Sequence, residues 1–556
     1  MSTGILQRKH QFGRAILIGI SLIATSAAAW SQDIQSSVLW RPDNGDGTYK
    51  NPILFADYSD PDVIRVGDDF YLTASSFSCF PGLPMLHSKD LVNWTIVGHA
   101  IDKYPFGSFA APVHGGGVYA PALRYHDGAF YIYFGDPDHG VFMAKAKNPA
   151  GPWEPLVLVK KSKGWIDTCP FWDDDGRAYL VHAFAKSRAG VNNILYICRM
   201  SPDGTKLLDE GKLVVDGSKT PYHTIEGPKL YKRKDYYYIF APGGGVSRGY
   251  QIVFRAKNIY GPYESRIVLE QGATNINGPH QGAWVETQTG ENWFVHFQEY
   301  LPYGRIVHLQ PVRWIDDWPV MGEDPDGDGK GQPVLIHRKP DVERTYPLAV
   351  PQTTDEFDAP SLGLQWQWFA NYRDDWISLT ARPGFLRLAA VAADKTVPLS
   401  DHPNLLLQKF PAEQFAVTTR IDTSGLGEGD CIGLLVPGRA TAALQVRKTP
   451  EGLKIIRTTS NVRKKPGPSP VDREEESATA PGPIIFLRVK VASRGVCTFS
   501  YSADGEQFTE LARPFTAVND EWIGAKVGLF CDAALGQMSA GYADVDWFRF
   551  VPVSAQ

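Results

Sequence analysis

Three carboxylates at matching positions of a repeating unit are the residues in this chain best placed to do chemistry. Asp60 opens the run Asp60-Pro61-Asp62-Val63, Asp167 opens Asp167-Thr168-Cys169-Pro170, and Glu226 opens Glu226-Gly227-Pro228-Lys229. Two further openings share the register without an acid, Ala120-Pro121-Ala122-Leu123 and His280-Gln281-Gly282-Ala283. Cleaving a glycosidic bond takes one carboxylic acid to protonate the leaving oxygen and a second carboxylate to activate water or to attack. The two must hold different protonation states at one pH, so their environments must differ. A third carboxylate near the acid raises its pKa by like-charge repulsion. Taken singly, Asp before Pro is common turn chemistry, and Asp167 or Glu226 alone would more often be solvated. The shared register gives the three their joint meaning.

The elements that must position these residues are strands. After each opening comes a short strand, a polar or Gly-containing turn such as Val66-Gly67-Asp68-Asp69 or Asp173-Asp174-Asp175-Gly176, and an aromatic returning strand such as Phe70-Tyr71-Leu72, Phe130-Tyr131-Ile132 or Tyr236-Tyr237-Tyr238. The openings recur at roughly 47 to 60 residues, a period that signals propeller blades. Equivalent positions of successive blades face one another around the propeller axis. Asp60, Asp167 and Glu226 are therefore expected to converge on one pocket.

Composition bounds the function. The chain has 556 residues, 53 Gly, 41 Pro and a formal net charge of -5, with a pI near 6.2. Such a length implies at least two domains, and the absence of a basic footprint argues against nucleic acid. Arg8, Lys9 and Arg14, the apolar stretch Ala15 to Ala24 and the small residues Ala27-Ala28-Ala29 read as a signal peptide over 1–29. The mature protein is then secreted or periplasmic, with no membrane association after the signal is removed. A retained anchor is the alternative, although the apolar stretch is short for a bilayer. The six cysteines form no C-x-x-C pair, which fits neither zinc nor a dense disulfide framework. Cys79 and Cys169 lie close in sequence to the candidate site and leave a disulfide open, with buried thiols the preferred reading.

The fold expected is all-β. A five-bladed propeller occupies 30–340, with its repeats over about 51–335. A Pro-rich linker over 341–355 follows, then a β-sandwich of the jelly-roll, concanavalin A-like kind over 356–556, where short alternating strands such as Ala416-Val417-Thr418-Thr419-Arg420 replace the blade repeat. Within it, the polar, Pro-rich segment from Arg463 to Pro483 reads as a mobile loop. Asp324-Pro325-Asp326-Gly327-Asp328-Gly329 has the start of a calcium loop, but its twelfth position is Leu335 rather than Glu, so a turn is preferred.

At this level of detail the sequence resembles glycoside hydrolase family 43 of the β-xylosidase and α-L-arabinofuranosidase type. The resemblance runs through Asn51-Pro52-Ile53-Leu54 with Asp60-Pro61, through Ser75-Ser76-Phe77, Phe80-Pro81-Gly82 and His87 to Trp94, and through Trp165-Ile166-Asp167 to Gly176 and Thr224-Ile225-Glu226-Gly227-Pro228. Gln365-Trp366-Gln367-Trp368, Leu405 to Gln408 and Ile523 to Phe530 resemble the concanavalin A-like domain appended to such enzymes. The resemblance implies hydrolysis with inversion, with Asp60 as general base, Glu226 as general acid and Asp167 tuning the acid. It further implies substrate-binding roles for Phe77, Tyr119 and Arg305. Tyr119 stands where many relatives have Trp, and Thr168 follows Asp167 where many have Pro. His280 matches an axial histidine that in relatives contacts a calcium or sodium ion, so Ca2+ is the one cofactor implied; a satisfied core histidine is the equal alternative. The appended domain implies a closed pocket and attack at chain ends.

The function expected is an exo-acting glycosidase that removes terminal xylose or arabinofuranose from hemicellulose-derived oligosaccharides. Xylo- or arabino-oligosaccharides are then its partners. An endo-acting arabinan hydrolase and a non-catalytic carbohydrate-binding propeller are the alternatives. The presence of all three carboxylates argues against the latter, and the appended sandwich against the former.

Overall fold

The computed structural model of the protein describes residues 38–392, 397–464, 467–534 and 539–553. The signal peptide expected over 1–29 lies outside the described residues. No described helix is long and apolar enough to cross a membrane.

Five four-stranded antiparallel sheets, each made of strands consecutive in the chain, form the propeller. Blade I spans Asp62 to Ile101, blade II Ala122 to Lys161, blade III Trp165 to Asp216, blade IV Lys229 to Leu269 and blade V His280 to Met321. The aromatic returning strands are the second strand of each blade, and they supply the packing between blades. Phe70 and Leu72 of blade I meet Trp293 and Val295 of blade V in one buried cluster. Tyr238 and Phe240 of blade IV meet Phe294 and Trp318 of blade V in another. Each such buried side chain contributes about 1.5–3 kcal/mol, so the blades hold one another and the axis is fixed.

The ring closes through the segment ahead of blade I. Thr48–Lys50 pairs with Ile336–Arg338, and Leu54 exchanges backbone hydrogen bonds with Val307 of blade V, 3.3 and 3.0 Å long. Asn51 fastens the seam. Its amide nitrogen donates to the carbonyls of Leu309 and Val334, while its amide oxygen accepts from the N–H of Leu309. The segment that follows blade V lies on the propeller surface, where the N–H of Ala349 donates to Asn93.

The C-terminal domain is a two-sheet sandwich. A seven-stranded sheet runs from Gln367–Trp368 to Arg473–Thr479, and an eight-stranded sheet faces it, with Tyr542–Pro552 and Phe415–Asp422 near its middle. Arg473–Thr479 corrects the expectation of a mobile loop over 463–483. It pairs with Gly452–Thr459 as the edge of its sheet. Its run of Arg473, Glu474, Glu475 and Glu476 is exposed, and edge strands are charged because charge blocks pairing with further chains. Arg463, inside the same segment, is buried and ion-paired with Asp520. All six cysteines are buried, and Cys79 and Cys169 are free thiols with no disulfide between them.

The sandwich packs on the propeller face that carries the openings. Phe77 and Cys79 of blade I share a buried cluster with Phe369, Leu405, Leu407, Ile523 and Phe530 of the sandwich. Phe80 and Trp368 bridge the domains by a pair of backbone hydrogen bonds, 2.9 and 2.6 Å.

Candidate active site

Every blade begins with a residue in the left-handed region, which L-residues adopt at a cost of about 1–3 kcal/mol. In blades I to III it is the opening residue itself: Asp60 at φ 52°, Ala120 at 49° and Asp167 at 57°. In blades IV and V it is the residue after it, Gly227 at 57° and Gln281 at 35°. Blades III and V also shift register there, between Ile166 and Cys169 and between His280 and Gly282. The repeated kink precedes or interrupts the ladder, and the mutual charge effects of Asp60, Asp167 and Glu226 place these side chains close together. Blade II carries Ala120 in this slot and contributes only backbone.

Asp60 is 3% exposed and is held from three sides. Arg305 Nη1 donates to its Oδ1 at 2.7 Å, Ser75 Oγ donates to Oδ2 at 2.6 Å, and Ser59 Oγ donates to Oδ2 at 3.2 Å. The N–H of Ala120 donates to Ser75 Oγ at 2.7 Å, which turns the hydroxyl proton toward Asp60. These are partners for an ionised carboxylate, and they fix its orientation.

Asp167 is buried, and its Oδ2 accepts the N–H of Gly227 at 2.8 Å, so the neighbouring blade's opening is tied to it. Burial pushes its carboxyl up to about 6, opposed by that N–H and helped by the charge of Asp60. Glu226 stands higher still, at about 8, through burial first and then the negative charge of Asp167, with Arg305 pulling the other way. The Glu226 side chain keeps 31% of its surface exposed, so water screens part of that shift. Its direction is firm, because burial and the charges of Asp167 and Asp60 all favour the neutral acid. The three carboxylates thus divide into a charge-paired base candidate, Asp60, a proton-holding acid candidate, Glu226, and Asp167, whose charge raises that acid.

His280 lies 3.4 Å from Glu226, Nε2 to Oε1, and is wholly buried. Its pKa falls to about 3 through burial, with Arg305 and His296 adding to the effect, so the ring is neutral. Neither ring nitrogen has a hydrogen-bond partner among the described residues. The ring is held by packing and by its approach to Glu226 rather than by a hydrogen bond to a described residue. The surroundings do not fit a calcium held by protein oxygens, which takes about six to eight oxygen ligands; no cluster of three or more His, Cys, Asp or Glu among the described residues could hold a metal. The acidic loop after blade V is a turn: Asp324 accepts the N–H groups of Gly327, Asp328 and Gly329, and Asp328 pairs with Lys330.

Phe77 and Tyr119 stack, with centroids 5.4 Å apart and planes at 19°. Phe77 is only 3% exposed and packs on the sandwich, leaving Tyr119 the more accessible ring of the pair. Arg305 is more constrained than a free sugar clamp, since Nη1 is occupied by Asp60 and Ser59 and the guanidinium lies 4.7 Å from the Phe297 ring. Its Nε is buried without a partner in the protein.

Two residues that sequence reasoning passed over complete this wall. Trp522, from the sandwich, is 46% exposed and sits with its ring 5.6 Å from the Arg305 guanidinium. Asp57 joins the two domains behind it: Oδ1 accepts the N–H of Arg305 at 2.9 Å, and Oδ2 accepts the N–H of Gly524 at 3.0 Å. Gly524 is required there, because a Cβ would lie 2.2 Å from the carbonyl oxygen of Tyr303. The same loop is tied down by Asp520, which meets His114 Nδ1 at 2.5 Å, while His114 Nε2 meets Asp401 at 2.9 Å. A lone aromatic among polar turn residues, Asn519-Asp520-Glu521-Trp522, was the sequence signal for this loop.

A propeller whose blade openings bring two carboxyls of raised pKa beside a charge-paired third, walled by an appended sandwich, defines a carbohydrate-cleaving class of protein. Comparison with known proteins agrees. Residues 49–319 match the family described as Glycosyl hydrolases family 43, and residues 354–551 match the Beta xylosidase C-terminal Concanavalin A-like domain. The chain is 34% identical over 569 residues to a beta-xylosidase of Formosa agariphila, covering 91% of each. It is 31% identical over 532 residues to a non-reducing end alpha-L-arabinofuranosidase of Bacteroides ovatus, covering 90% of this chain and 94% of the relative. The crystal structure of a xylan beta-1,4-xylosidase from Bacillus halodurans superposes with a TM-score of 0.79 at 26% identity, over 90% of this chain and 99% of the other. The chain belongs to glycoside hydrolase family 43 and is a glycosidase.

Proposed function

We propose that the protein is an exo-acting glycosidase that removes terminal xylose or arabinofuranose from hemicellulose-derived oligosaccharides with inversion. The observation that carries this reading is the unequal treatment of the carboxylates. Asp60 is clamped by Arg305, Ser75 and Ser59, whereas Glu226 is driven toward its neutral form by burial and by Asp167. In this reading Asp60 takes a proton from water as that water attacks the anomeric carbon. Glu226 gives its proton to the departing oxygen, and the glycosidic bond breaks between them. Asp167 keeps Glu226 protonated by its charge. It also holds the Glu226 loop through the N–H of Gly227. Tyr119 and Trp522 would offer ring faces to the sugar, and the free edge of Arg305 would meet its hydroxyls.

Chain-end attack is supported by the sandwich loop, which sets Trp522 at the pocket wall and so opposes an open groove. The choice of sugars is supported by relatives named for them, a beta-xylosidase and a non-reducing end alpha-L-arabinofuranosidase. Export through the 1–29 segment to the periplasm or the medium completes the proposal. Calcium takes no part in the steps above; metal content after dialysis, and the rate in chelator, test for it at His280.

The experiment for this reading is digestion of linear xylo-oligosaccharides and of arabinofuranosyl oligosaccharides, with the first-formed anomer followed by proton NMR. Release of single pentoses in the anomeric form opposite to the substrate's is expected. Internal cleavage to longer fragments, or retention of configuration, would contradict it.

A further inference from the structure

A second cavity, of about 330 Å³, lies between the propeller and the sandwich, and none of Asp60, Asp167, Glu226, Arg305 or Trp522 lines it. Its aromatic side is Trp40, Phe55 and Tyr58; its polar side includes His99 of blade I with Gln408 and Lys409 of the sandwich. The volume is at the lower end of the range for small-molecule sites, roughly 300–1,000 Å³.

The charge of this wall is unusual. No Asp or Glu lines the cavity. Among the described residues Lys409 makes a single hydrogen bond, 3.2 Å to the amide oxygen of Gln367, and no ion pair. Its cross-strand partner is Lys526, itself buried. The nearest balancing charge acting on Lys409 is Asp57, whose two oxygens are already taken by backbone N–H groups. The ring of His99 makes no hydrogen bond to any described residue, and the amide nitrogen of Gln408 is buried without an acceptor. Burial and the proximity of Lys526 lower Lys409 to about 8, and burial with Lys409 lowers His99 to about 3. The Lys409 ammonium, half-buried and 5.3 Å from the Tyr58 ring centroid, is left without a carboxylate partner among the described residues, and one anion would supply it.

We infer that this interdomain cavity is a binding site for a carboxylate-bearing sugar of the uronate class, its carboxylate on Lys409 with His99 and Gln408 as further donors and its ring against the aromatic side. Free uronic acids and uronosyl branches of hemicellulose fragments share this chemistry. The inference is independent of the catalytic reading, because it is measured by binding.

The test is calorimetric titration of the full-length protein with sodium glucuronate, with xylose as the neutral control. Saturable binding of glucuronate is expected, weakened at least about tenfold in Lys409→Met, since a charge-assisted bond lost is worth roughly 1.5–3 kcal/mol. Thr353→Trp, which fills the cavity from the linker side, should abolish it. Both variants should hydrolyse aryl glycosides at the wild-type rate, which shows that they fold. Loss of binding in Lys409→Met and Thr353→Trp, which change only residues lining this cavity, assigns the heat to it rather than to the catalytic pocket. Tighter binding of a uronosyl xylo-oligosaccharide than of free glucuronate assigns the site to the branch, and the reverse order assigns it to the free acid. No saturable heat with either uronate, or equal heat in wild type and both variants, would overturn the inference.

Discussion

Replacing Asp57 with Asn should damage the active site from behind, without altering the side chain of any residue that faces the sugar. Asp57 is buried, and its two oxygens accept from Arg305 in the propeller and Gly524 in the sandwich at 2.9 and 3.0 Å. Asparagine keeps one acceptor and turns an NH2 group against the other N–H. One charge-assisted hydrogen bond is lost, worth about 1.5–3 kcal/mol, and a buried N–H is left without a partner. The two together cost at most about 2.5–6 kcal/mol, less whatever the loop recovers by moving toward water. At roughly 2–4 °C per kcal/mol for a domain of this size, the melting transition should fall by several degrees. Movement of the 519–525 loop carries Trp522 with it, and Arg305 loses its backbone anchor. The value of kcat/KM on a chain-end substrate should then drop about tenfold, most of it in KM, because the pocket wall rather than the proton donor is disturbed. Calorimetry and steady-state kinetics on the one variant provide both readings. An unchanged melting temperature with unchanged kcat/KM would refute the claim that Asp57 couples the two domains to the site.

Further outcomes follow from the same geometry. The alkaline limb of kcat/KM should fall at or below about pH 8, where Glu226 loses its proton, and its midpoint should move down in Asp167→Asn, because a negative charge that raises the acid has gone. Stability should follow the same protons. The folded-state carboxyls of Asp167 and Glu226 lie above their ordinary values, so their contribution is full below about pH 4 and is lost as pH rises through 6 and 8; Glu226→Gln should flatten that decline in a melting-temperature series. His114 is pushed up to about 9, its burial outweighed by hydrogen bonds to Asp401 and Asp520, with Arg463 opposing. The stability it adds is therefore present below about pH 6.5 and lost as pH rises through 9, and His114→Gln should melt lower than wild type at pH 6 but converge with it above pH 9. Trp522→Ala should raise KM for terminal-sugar substrates about five- to tenfold, from a cation–π contact and ring stacking of roughly 1–1.5 kcal/mol together, with kcat nearly unchanged. A fall in kcat alone would place Trp522 elsewhere in the account.

The propeller was legible because its signal is repeated. Five openings in one register, each followed by a turn and an aromatic return, leave few other folds, and the structure puts the aromatic strands between blades as that pattern implies. The left-handed backbone at each opening was not legible, since Asp60, Ala120 and Asp167 are not glycine and nothing local marks the strain. Ring closure by Asn51 shows the same limit: the block Asn51-Pro52-Ile53-Leu54 was recognisable, but its partners Leu309 and Val334 are more than 250 positions away. Arg473–Thr479 read as loop because an exposed edge strand buries no alternating face. The roles of Trp522 and Asp57 could not be assigned from sequence for a deeper reason. Each acquires its role only when the sandwich docks on the propeller, and no periodicity records how two domains meet.

The measurement that bears most directly on the site is the rate of Glu226→Gln and Asp60→Asn on two aryl glycosides of one sugar, one with a good leaving group and one with a poor one. Loss of the acid should slow the poor leaving group by about 10²–10⁴ while sparing the activated one, because only the former needs a proton. Loss of the base should abolish turnover on both, since water is then left without a proton acceptor. Equal slowing of both substrates by Glu226→Gln, or substantial turnover by Asp60→Asn, would contradict the assignment of acid and base.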